Sequence, residues 1–309
     1  MNVKVQDNKI LNNTEELTIR KVCDQSGQFK SYFTLPANKK RIDEGGIRLN
    51  GKQKKQISNK PRVTVITAVY NGEKFIENTI VSIINQAYDN LEFIIIDGGS
   101  NDSTVDIIKK YENSIDYWVS EPDKGISDAF NKGVQLSTGD YINFQGDGDG
   151  FLENTSVAEV MKGINPESDI FISAGIVRTD IRGKTIFKVT PPKSFNKQTL
   201  LSRMSMPHQG LLTHKSYFEK YGLFDLNNIY CMDYEHLLRS YKVFPKVQTK
   251  QITLARWRDD GIGNNNTFKV LKEYSKIKRI NNVASMPVLL ALDTWMFMKF
   301  FIKTLLLRK

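Results

Sequence analysis

The chain has 309 residues, of which 44 are Lys or Arg and 34 are Asp or Glu, and its formal net charge is +10. This length allows one elaborated domain or two small ones with a sizeable core. The excess charge lies at the ends: residues 1–60 carry 13 basic and 6 acidic residues, residues 266–309 carry 9 and 2, and residues 61–265 carry 22 and 26. Because the centre is slightly acidic, the composition argues against a nucleic-acid-binding protein.

Cysteine content and the amino terminus restrict the class of protein further. Cys23 and Cys231 are the only cysteines and form no CxxC or Cys/His cluster, which argues against a zinc site or a disulfide framework. The amino terminus lacks the apolar segment of a secretory signal, so we expect a cytoplasmic protein. Basic ends would suit an anionic membrane surface, and solvated tails without a partner are the alternative.

Residues 1–60 are predicted to form a basic extension with a boundary near Pro61. Short alternating segments at residues 29–35 and 47–49 predict strands, and the segments between them are rich in turn residues and lysine.

Beyond Pro61 the hydrophobic pattern alternates between strand and helix. Apolar, β-branched runs at residues 63–69, 91–96, 115–119 and 141–144 predict strands, and helical spacing is found at residues 73–86, 102–111 and 127–136. This alternation predicts an α/β domain with a mostly parallel, Rossmann-like sheet and helices on both faces.

The carboxyl ends of the predicted strands are polar and should meet at one edge of the sheet, where α/β proteins bind ligands. The first strand is followed by Tyr70, whose flat ring can stack on a base, and the second ends in Asp97, which can accept hydrogen bonds from a base or ribose or simply cap the next helix. The first turn has no G-x-G-x-x-G, which argues against a dehydrogenase-type dinucleotide site.

The fourth strand runs into Asp147-Gly-Asp149, two carboxylates among glycines. Such a pair suits Mg²⁺ or Mn²⁺ holding a diphosphate, because these cations prefer oxygen ligands and often share carboxylates with substrate phosphates. An ordinary acidic turn is the alternative. Phe151 and Leu152 exclude an EF-hand loop.

Four motifs in order resemble family 2 glycosyltransferases over about residues 61–260: Thr67-Ala-Val-Tyr-Asn-Gly, Ile94-Ile-Ile-Asp-Gly-Gly-Ser-Asn-Asp-Ser-Thr, Ser120-Glu-Pro-Asp-Lys-Gly-Ile-Ser-Asp-Ala-Phe-Asn-Lys-Gly and Gly139-Asp-Tyr-Ile-Asn-Phe. The resemblance implies a GT-A fold, an inverting sugar transfer and a divalent cation, with residues 61–151 as the nucleotide-binding half. The resemblance also implies that seven residues lie in the nucleotide or donor-sugar site: Thr67, Tyr70, Asn71, Asp97, Lys124, Asp128 and Asn131.

The acidic motif departs from the pattern of many relatives, which have two adjacent acids. When the chain is aligned on Phe144 and Phe151, Asp149 takes the metal-ligating place. The resemblance therefore implies Asp149 as the primary metal ligand, and Asp147 is a supporting candidate.

Residues 152–265 are predicted to form the acceptor half. The resemblance implies that Asp233, which opens a helix, is the catalytic base that takes the proton of the attacking hydroxyl. Glu235 is a further candidate for the acceptor site, but it lies about 200° round the same helix, so the two carboxylates cannot face the same way with equal ease. The alternative is that Asp233 and Glu235 only favour the amino terminus of a helix. His208 precedes a strand as in the family and is expected to border the acceptor pocket, with a purely structural role as the alternative.

Residues 256–263 are predicted to form a loop after a strand at residues 251–254. Arg256, Trp257 and Arg258 could close over the diphosphate or the sugar, and a surface loop without a ligand is the alternative.

Residues 266–309 are predicted to form amphipathic helices that associate with a membrane surface. The apolar segment 288–307 is interrupted by Asp293, Lys299 and Lys303, which favours a helix lying in the interface over one that spans the bilayer. Docking onto the protein's own core or onto a second subunit, and hence oligomer formation, is the alternative.

Together these features predict a cytoplasmic glycosyltransferase, peripheral on the inner face of a bacterial membrane. It would move a sugar from a nucleotide-diphosphate donor, expected to be UDP-linked, to a glycan or lipid-linked acceptor in surface polysaccharide assembly. The alternatives are a nucleotidyltransferase, which should have a basic, glycine-rich loop after its first strand, and a non-catalytic protein that binds nucleotide sugars.

Overall fold

The computed structural model describes residues 29–52, 54, 57, 59–261 and 266–306. In these residues the strands are β1 (Asp43–Gly45), β2 (Val63–Val69), β3 (Leu91–Asp97), β4 (Tyr117–Ser120), β5 (Tyr141–Gly146), β6 (Gly150–Phe151), β7 (Phe171–Thr179), β8 (Thr185–Val189), β9 (Leu211–His214) and β10 (Val247–Arg258). The α-helices are α1 (Ile76–Ile84), α2 (Thr104–Lys110), α3 (Ile126–Leu136), α4 (Ser156–Met161), α5 (Lys215–Tyr221), α6 (Met232–Leu238), α7 (Thr267–Ile280) and α8 (Met286–Leu306). Short 3-10 helices occur at Ile47–Asn50, Glu112–Ser114, Lys197–Leu201 and His208–Gly210.

The strands form one mixed sheet in the order β1-β4-β3-β2-β5-β9-β7-β10-β6, and β8 pairs with β7. Strands β4, β3, β2 and β5 are parallel, and Thr67 of β2 lies opposite Ile95 of β3 and Gln145 of β5. The carboxyl ends of β2, β3 and β5 therefore meet at one edge, as parallel pairing requires. The predicted α/β fold with a mostly parallel sheet and helices is confirmed.

Helices cover both faces of the sheet, which explains the sequence pattern of the central strands. Every residue of β2 and β3 is buried, so both strands are rich in apolar residues on both faces and show no strict alternation of apolar and polar residues. On one face α1 contributes Ile76, Ile80 and Ile83 at helical spacing. On the other face α3 contributes Phe130 and Val134 to a second apolar cluster.

The described part of the amino-terminal extension is joined to the same sheet. β1 pairs antiparallel with β4, and the buried Arg48 lies 2.6 Å from Oε1 of Glu92. The strands predicted at residues 29–35 and 47–49 are wrong: residues 47–50 form a 3-10 helix, and no strand is assigned between 29 and 35. At residues 29–35 the alternating apolar side chains pack against an apolar cluster of the core without forming a strand. Residues 1–28, including Cys23, lie outside the described residues.

The carboxyl-terminal helices α7 and α8 pack on each other and, through α7, on α6. Asp293, one of the charges that interrupt the apolar segment 288–307, lies between the two helices and accepts a hydrogen bond from the buried Lys278 of α7 on Oδ1 at 2.7 Å. One face of the pair thus docks on the protein's own core. The other face of α8 exposes large apolar side chains, including Val288, Leu290, Trp295, Phe301 and Ile302. None of the helices among the described residues combines the length and the hydrophobicity that a transmembrane segment needs.

Candidate active site

The loops that follow β2 and β3 are tied together by hydrogen bonds. Asn71, with φ 51°, donates its backbone N–H to Ser100 Oγ at 2.7 Å and accepts the Asn101 N–H on Oδ1 at 3.0 Å. A Cβ on Gly72 would lie 2.8 Å from Cγ of Asp147, so glycine is needed for this close approach. Asn71 therefore builds the edge of the site but does not line the cavity beside it.

Asp97 lies beneath this edge and is fully buried. Its Oδ2 accepts hydrogen bonds from the Gly99 N–H at 3.1 Å, the Ser100 N–H at 2.9 Å and the Ser120 hydroxyl at 2.6 Å, and the Ser100 hydroxyl donates to Oδ1. None of these contacts is with α2, whose N-cap is Ser103 and which has no side-chain cap, so the helix-capping alternative for Asp97 is wrong. The carboxylate organises the loop after β3 and does not line the cavity.

An open cavity of about 530 Å³ lies at this edge and has the size of a small-ligand site. Tyr70 forms part of its wall, and 64% of this residue is exposed, so its ring is accessible for stacking. Thr67 is buried below the cavity and is not part of its lining. We refer to this space as the donor cavity, lined further by Asp123, Gly125, Ile126, Phe130, Asp147, Asp149, His208, Gln209, Met232, Trp257 and Arg258.

The start of α3 forms another wall, but the polar residues predicted there serve the local structure. Asp128 Oδ2 accepts the Lys124 N–H at 3.0 Å and closes the first turn of the helix. Asn131 is buried and pairs through its amide with both backbone groups of Phe224, at 2.9 Å and 2.8 Å. The structure therefore does not bring Lys124, Asp128 or Asn131 to the lining of the donor cavity.

Asp149 lies at the floor of the donor cavity and is almost fully buried. Its Oδ2 accepts the Gln209 amide at 2.9 Å and the Gly146 N–H at 3.2 Å, and its Oδ1 accepts the Arg258 N–H at 3.0 Å. Burial raises the pKa of the Asp149 carboxyl to about 6, although these donors favour the ionised form.

Asp147 is the second carboxylate of the pair. Burial raises its pKa to about 6 as well, opposed by the guanidinium of Arg258, whose Nη2 is 3.7 Å from Asp147 Oδ2. The Asp147 Oδ1 atom is buried and has no hydrogen-bond partner among the described residues.

These features fit a divalent cation. The buried Asp149 and the half-buried Asp147, both with raised pKa values, and the unpartnered Oδ1 atom of Asp147 form a desolvated anionic site that a cation would stabilise. The described residues contain no group of three or more His, Cys, Asp or Glu side chains that could hold a metal. Protein ligands would therefore be Asp147 and Asp149, as is usual where substrate phosphates supply further oxygens.

The predicted base, Asp233, lies on the far side of the His208–Gly210 turn. Its Oδ1 accepts the Tyr234 N–H at 2.8 Å, and its Oδ2 lies 3.8 Å from His208 Nδ1. His208 packs among the rings of Phe130, Phe144 and Phe224. Burial lowers its pKa, and the nearby Asp233 only partly opposes this effect, so the ring is neutral at pH 7.

Asp233 lines a second cavity of about 750 Å³ that adjoins the donor cavity. We refer to it as the acceptor cavity. The two spaces share a wall made of Ile126, His208, Gln209, Tyr230, Met232 and Trp257. Asp149 and Asp233 therefore lie on either side of one common wall.

The position of Asp233 depends on the carboxyl-terminal region. Glu273 of α7 accepts the backbone N–H groups of Tyr230 at 3.0 Å and Cys231 at 2.8 Å, which precede α6. Cys231 is a buried free thiol whose pKa is raised by burial. Glu235 is buried and forms a bidentate ion pair with Arg239, at 2.6 Å at its closest, and it lines neither cavity.

The segment Arg256–Arg258 differs from the predicted loop, because all three residues belong to β10. Trp257 lines both cavities, whereas Arg256 lines neither. The Arg258 guanidinium lies 3.8 Å from the centre of the Phe75 ring and donates from Nε to Asp260 Oδ1 at 2.6 Å. The strand extends to Arg258 because β10 pairs with both β6 and β7, which lie far away in the chain. The glycine-rich sequence that follows Arg258 favoured a loop in the sequence analysis.

Two residues of the site were missed by sequence reasoning. Gln209 was read only as part of the His-Gln motif, and its contact with Asp149 spans 60 positions of the chain. Glu273 lies in a basic amphipathic helix, where one acid among lysines gives no signal for a contact with α6.

Comparisons with known proteins identify the family and the fold. Residues 64–224 match the family described as glycosyl transferase family 2. An uncharacterized glycosyltransferase of Mycobacterium tuberculosis is 30% identical over 206 residues, which cover 66% of this chain and 78% of that protein. A PGL/p-HBAD biosynthesis glycosyltransferase of Mycobacterium bovis is 26% identical over 70% of this chain and 83% of its own length.

Solved structures share the fold at low sequence identity. The mannosyltransferase PcManGT of Pyrobaculum calidifontis, in complex with GDP-Man and Mn²⁺, is 17% identical with a TM-score of 0.57, over 81% of this chain and 74% of that one. S. aureus TarS (residues 1–349), in complex with UDP, is 14% identical with a TM-score of 0.55, over 70% of this chain and 65% of that one. The chain therefore belongs to glycosyl transferase family 2 and is a glycosyltransferase with the GT-A fold.

Proposed function

We propose that the protein transfers a sugar, with inversion, from a nucleotide-diphosphate donor to a hydroxyl group of a glycan or lipid-linked acceptor. The observation that carries this proposal is the pair of adjoining cavities, with Asp149 and Asp147 in one and Asp233 in the other. A transfer reaction needs a donor and an acceptor that meet at one point, and the shared wall supplies that point.

The donor cavity is assigned to the nucleotide and its sugar. The exposed ring of Tyr70 can stack on the base, while Asn71 and Asp97 hold the two loops that shape the edge. A UDP-linked donor is the first candidate. Both a UDP and a GDP-linked donor are represented among proteins with this fold: the TarS structure contains UDP, and the PcManGT structure contains GDP-Man.

Asp149 and Asp147 are assigned to a Mn²⁺ or Mg²⁺ ion. When bound, the cation would neutralise charge that develops on the departing diphosphate. Arg258 adds positive charge beside Asp147. Gln209 and the Arg258 N–H orient the Asp149 carboxylate, as the outer partners of metal ligands do.

Asp233 is assigned to general base catalysis. Its Oδ1 is held by the Tyr234 N–H, which leaves Oδ2 to accept the proton of the attacking hydroxyl. Because burial lowers the pKa of His208, its ring is neutral and forms no ion pair with Asp233. Inversion follows when the hydroxyl attacks from the acceptor side, opposite the leaving diphosphate.

We place this activity at the cytoplasmic surface of a bacterial membrane, in surface polysaccharide assembly. The support is the exposed apolar face of α8 together with lysines on α7 and α8, a pattern typical of helices that lie in a membrane interface. A second copy of the chain is the alternative occupant of that face.

Thermal unfolding with UDP-, GDP- and dTDP-sugars, each with and without Mn²⁺, tests the proposal. We expect one donor class to raise the Tm of the wild-type protein only with Mn²⁺. The Asp149→Ala variant should lose this shift, and the control Glu167→Gln, at an exposed residue away from both cavities, should keep it. If no donor gives a metal-dependent shift in the wild-type protein, the assignment of the donor cavity is wrong.

A further inference from the structure

We propose that the acceptor carries a hydrocarbon chain, which binds in the acceptor cavity, and an anionic group such as a phosphate, which binds at its rim. This inference rests on the proposed function and names the chemical class of the acceptor. It follows from the lining of the acceptor cavity, from two exposed cations at its rim, and from its position beside the carboxyl-terminal helices.

The lining of the acceptor cavity changes along its length. At the wall shared with the donor cavity are Asp233, His208 and Gln209, where the reacting hydroxyl must lie. Away from that wall the apolar lining comes from β7, β8, the following proline-rich loop, the segment before the His208 turn, and α7: Ile176, Phe187, Val189, Pro191, Pro192, Phe195, Met204, Val270 and Tyr274. Such a surface gains free energy by covering hydrocarbon and gains little from hydroxyl groups.

Several apolar residues of this lining are accessible in the protein alone. Phe187 and Ile229 are 42% and 59% exposed, and both line the acceptor cavity. Their exposure next to a catalytic carboxylate is explained if part of the substrate covers them. The volume of about 750 Å³ is sufficient for a chain in addition to a sugar unit.

Two cations identify the second feature of the acceptor. Lys188 and Arg203 line the acceptor cavity and are exposed, and neither forms an ion pair within the described part of the chain. Asp233 is the single acidic residue in that lining. A phosphate that joins the chain to the sugar would complement these cations, and Arg can bind it through two parallel N–H donors.

The carboxyl-terminal helices connect the acceptor cavity with an apolar surface. Val270 and Tyr274 of α7 line the cavity, and Phe268, one half-turn away, packs on Phe297 and Phe301 of α8. The exposed face of α8 continues from there. The acceptor cavity and the exposed apolar face of α8 therefore lie on two sides of α7, so a membrane that contacts α8 would bring a lipid acceptor close to the cavity.

Binding of alkyl phosphates tests this proposal without knowledge of the acceptor sugar. Isothermal titration with octyl, decyl and dodecyl phosphate, below their micelle concentrations, should give a Kd that falls by up to about fourfold per methylene group, since each buried CH₂ contributes about 0.8 kcal/mol. Tetra(ethylene glycol) phosphate, a polar chain of similar length, should bind at least tenfold more weakly than dodecyl phosphate. A Kd that is independent of chain length would overturn the proposal.

Matched variants show whether the ligand occupies the acceptor cavity. Phe187→Ser and Ile229→Ser should weaken dodecyl phosphate binding, whereas Ile181→Ser, an exposed apolar residue of the same β7–β8 hairpin that lines neither cavity, should not. The opposite result, in which Val288→Ser on the exposed face of α8 weakens binding and the cavity variants do not, would contradict the proposal.

The charge requirement is tested separately. Arg203→Gln should raise the Kd of dodecyl phosphate about fivefold, the effect of one exposed ion pair, and should leave the Kd of uncharged dodecyl glucoside unchanged. Arg182→Gln in the hairpin turn is the control. Equal effects of Arg203→Gln on both ligands would contradict the assignment of an anionic group.

The same preparations separate a failure of this inference from a failure of the proposed function. A metal-dependent Tm shift with a nucleotide sugar, without chain-dependent binding of alkyl phosphates, would retain the transferase assignment and reject the lipid acceptor. Absence of the donor shift would instead reject the proposed donor site, whatever the alkyl phosphates do.

Discussion

Gln209 donates a hydrogen bond from its Nε2 atom to Oδ2 of Asp149 at 2.9 Å. The preceding residue, His208, places its Nδ1 atom 3.8 Å from Oδ2 of Asp233. Two consecutive residues of one short turn therefore contact the proposed metal ligand and the proposed base. The turn therefore links the two carboxylates through neighbouring residues, as expected if donor and acceptor meet between the two cavities.

Removal of the Gln209 amide is expected to weaken metal and donor binding. Gln209→Leu takes away one of the hydrogen bonds that orient Asp149, and loss of such an outer partner costs about 10- to 100-fold in metal affinity. The measurement is the Mn²⁺ concentration needed for half of the donor-induced Tm shift. Gln198→Leu, at an exposed glutamine, is the control, and an equal effect in both variants would contradict a specific role for Gln209.

Asp233→Asn is expected to abolish transfer and to preserve donor binding. The amide cannot accept the hydroxyl proton, and loss of a general base lowers kcat by about 10²- to 10⁴-fold. Transfer is measured as release of the nucleotide diphosphate, and donor binding as the metal-dependent Tm shift. Asp225→Asn in the same half of the protein is the control. Full activity of Asp233→Asn would show that another group is the base.

Glu273→Gln is expected to lower kcat although residue 273 lies outside both cavities. The change removes the charge that fixes the backbone before α6, and a displacement of about 1 Å at a catalytic group can cost about 100-fold in rate. The exposed Lys276→Gln on the same helix is the control. A fall in donor affinity instead of kcat would indicate general unfolding and not displacement of Asp233.

Asp147→Asn is expected to stabilise the metal-free protein at neutral pH. Its pKa is about 6 in the folded protein and about 3.9 in the unfolded chain. The ionised form is therefore disfavoured by folding, at up to about 3 kcal/mol above pH 7, and this cost disappears as the pH falls from about 7 towards 4. Urea unfolding in EDTA at pH 7.5 and 4.5 should show an advantage of the variant only at the higher pH.

The control for this comparison is Glu167→Gln, an exposed carboxylate away from the site. Its difference from the wild-type protein should be small at both pH values. An advantage of Asp147→Asn that is equal at pH 7.5 and 4.5 would show that the carboxylate is not destabilised by burial.

Arg48→Met is expected to destabilise the whole protein. Burial alone would raise the pKa of Glu92, but Arg48 and the Thr64 and Thr138 donors lower it, so Glu92 is a buried anion that needs its partner. Removal of one partner of a buried pair costs about 3 to 5 kcal/mol. Urea unfolding measures the loss. The double variant Arg48→Met/Glu92→Met should lose less, and an equal loss would contradict the pairing.

The sequence alone predicted the parallel half of the fold, because its signals are local. A strand can be recognised from its own residues when it is a buried, β-branched run, as at residues 91–96. An amphipathic helix, such as the one that contains Ile76 and Ile80, can be recognised from its own spacing of apolar residues. The predicted short strand at residues 47–49 and the predicted loop at residues 256–258 were wrong for the converse reason. Packing on Glu92, and pairing of β10 with β6 and β7, involve residues far away in the chain.

The sequence by itself determined the family, the α/β class and the position of the acidic motif Asp147-Gly-Asp149. These follow from the order of the motifs and from the periodicity of apolar residues along the chain. Tertiary structure alone decided which polar residues reach a cavity. Asp97 and Asn131, polar residues at a predicted ligand edge, are buried and hold backbone groups, whereas Gln209 reaches Asp149. The physical reason is that a buried polar side chain must find hydrogen-bond partners, and only the folded chain decides whether these are its own backbone or a ligand.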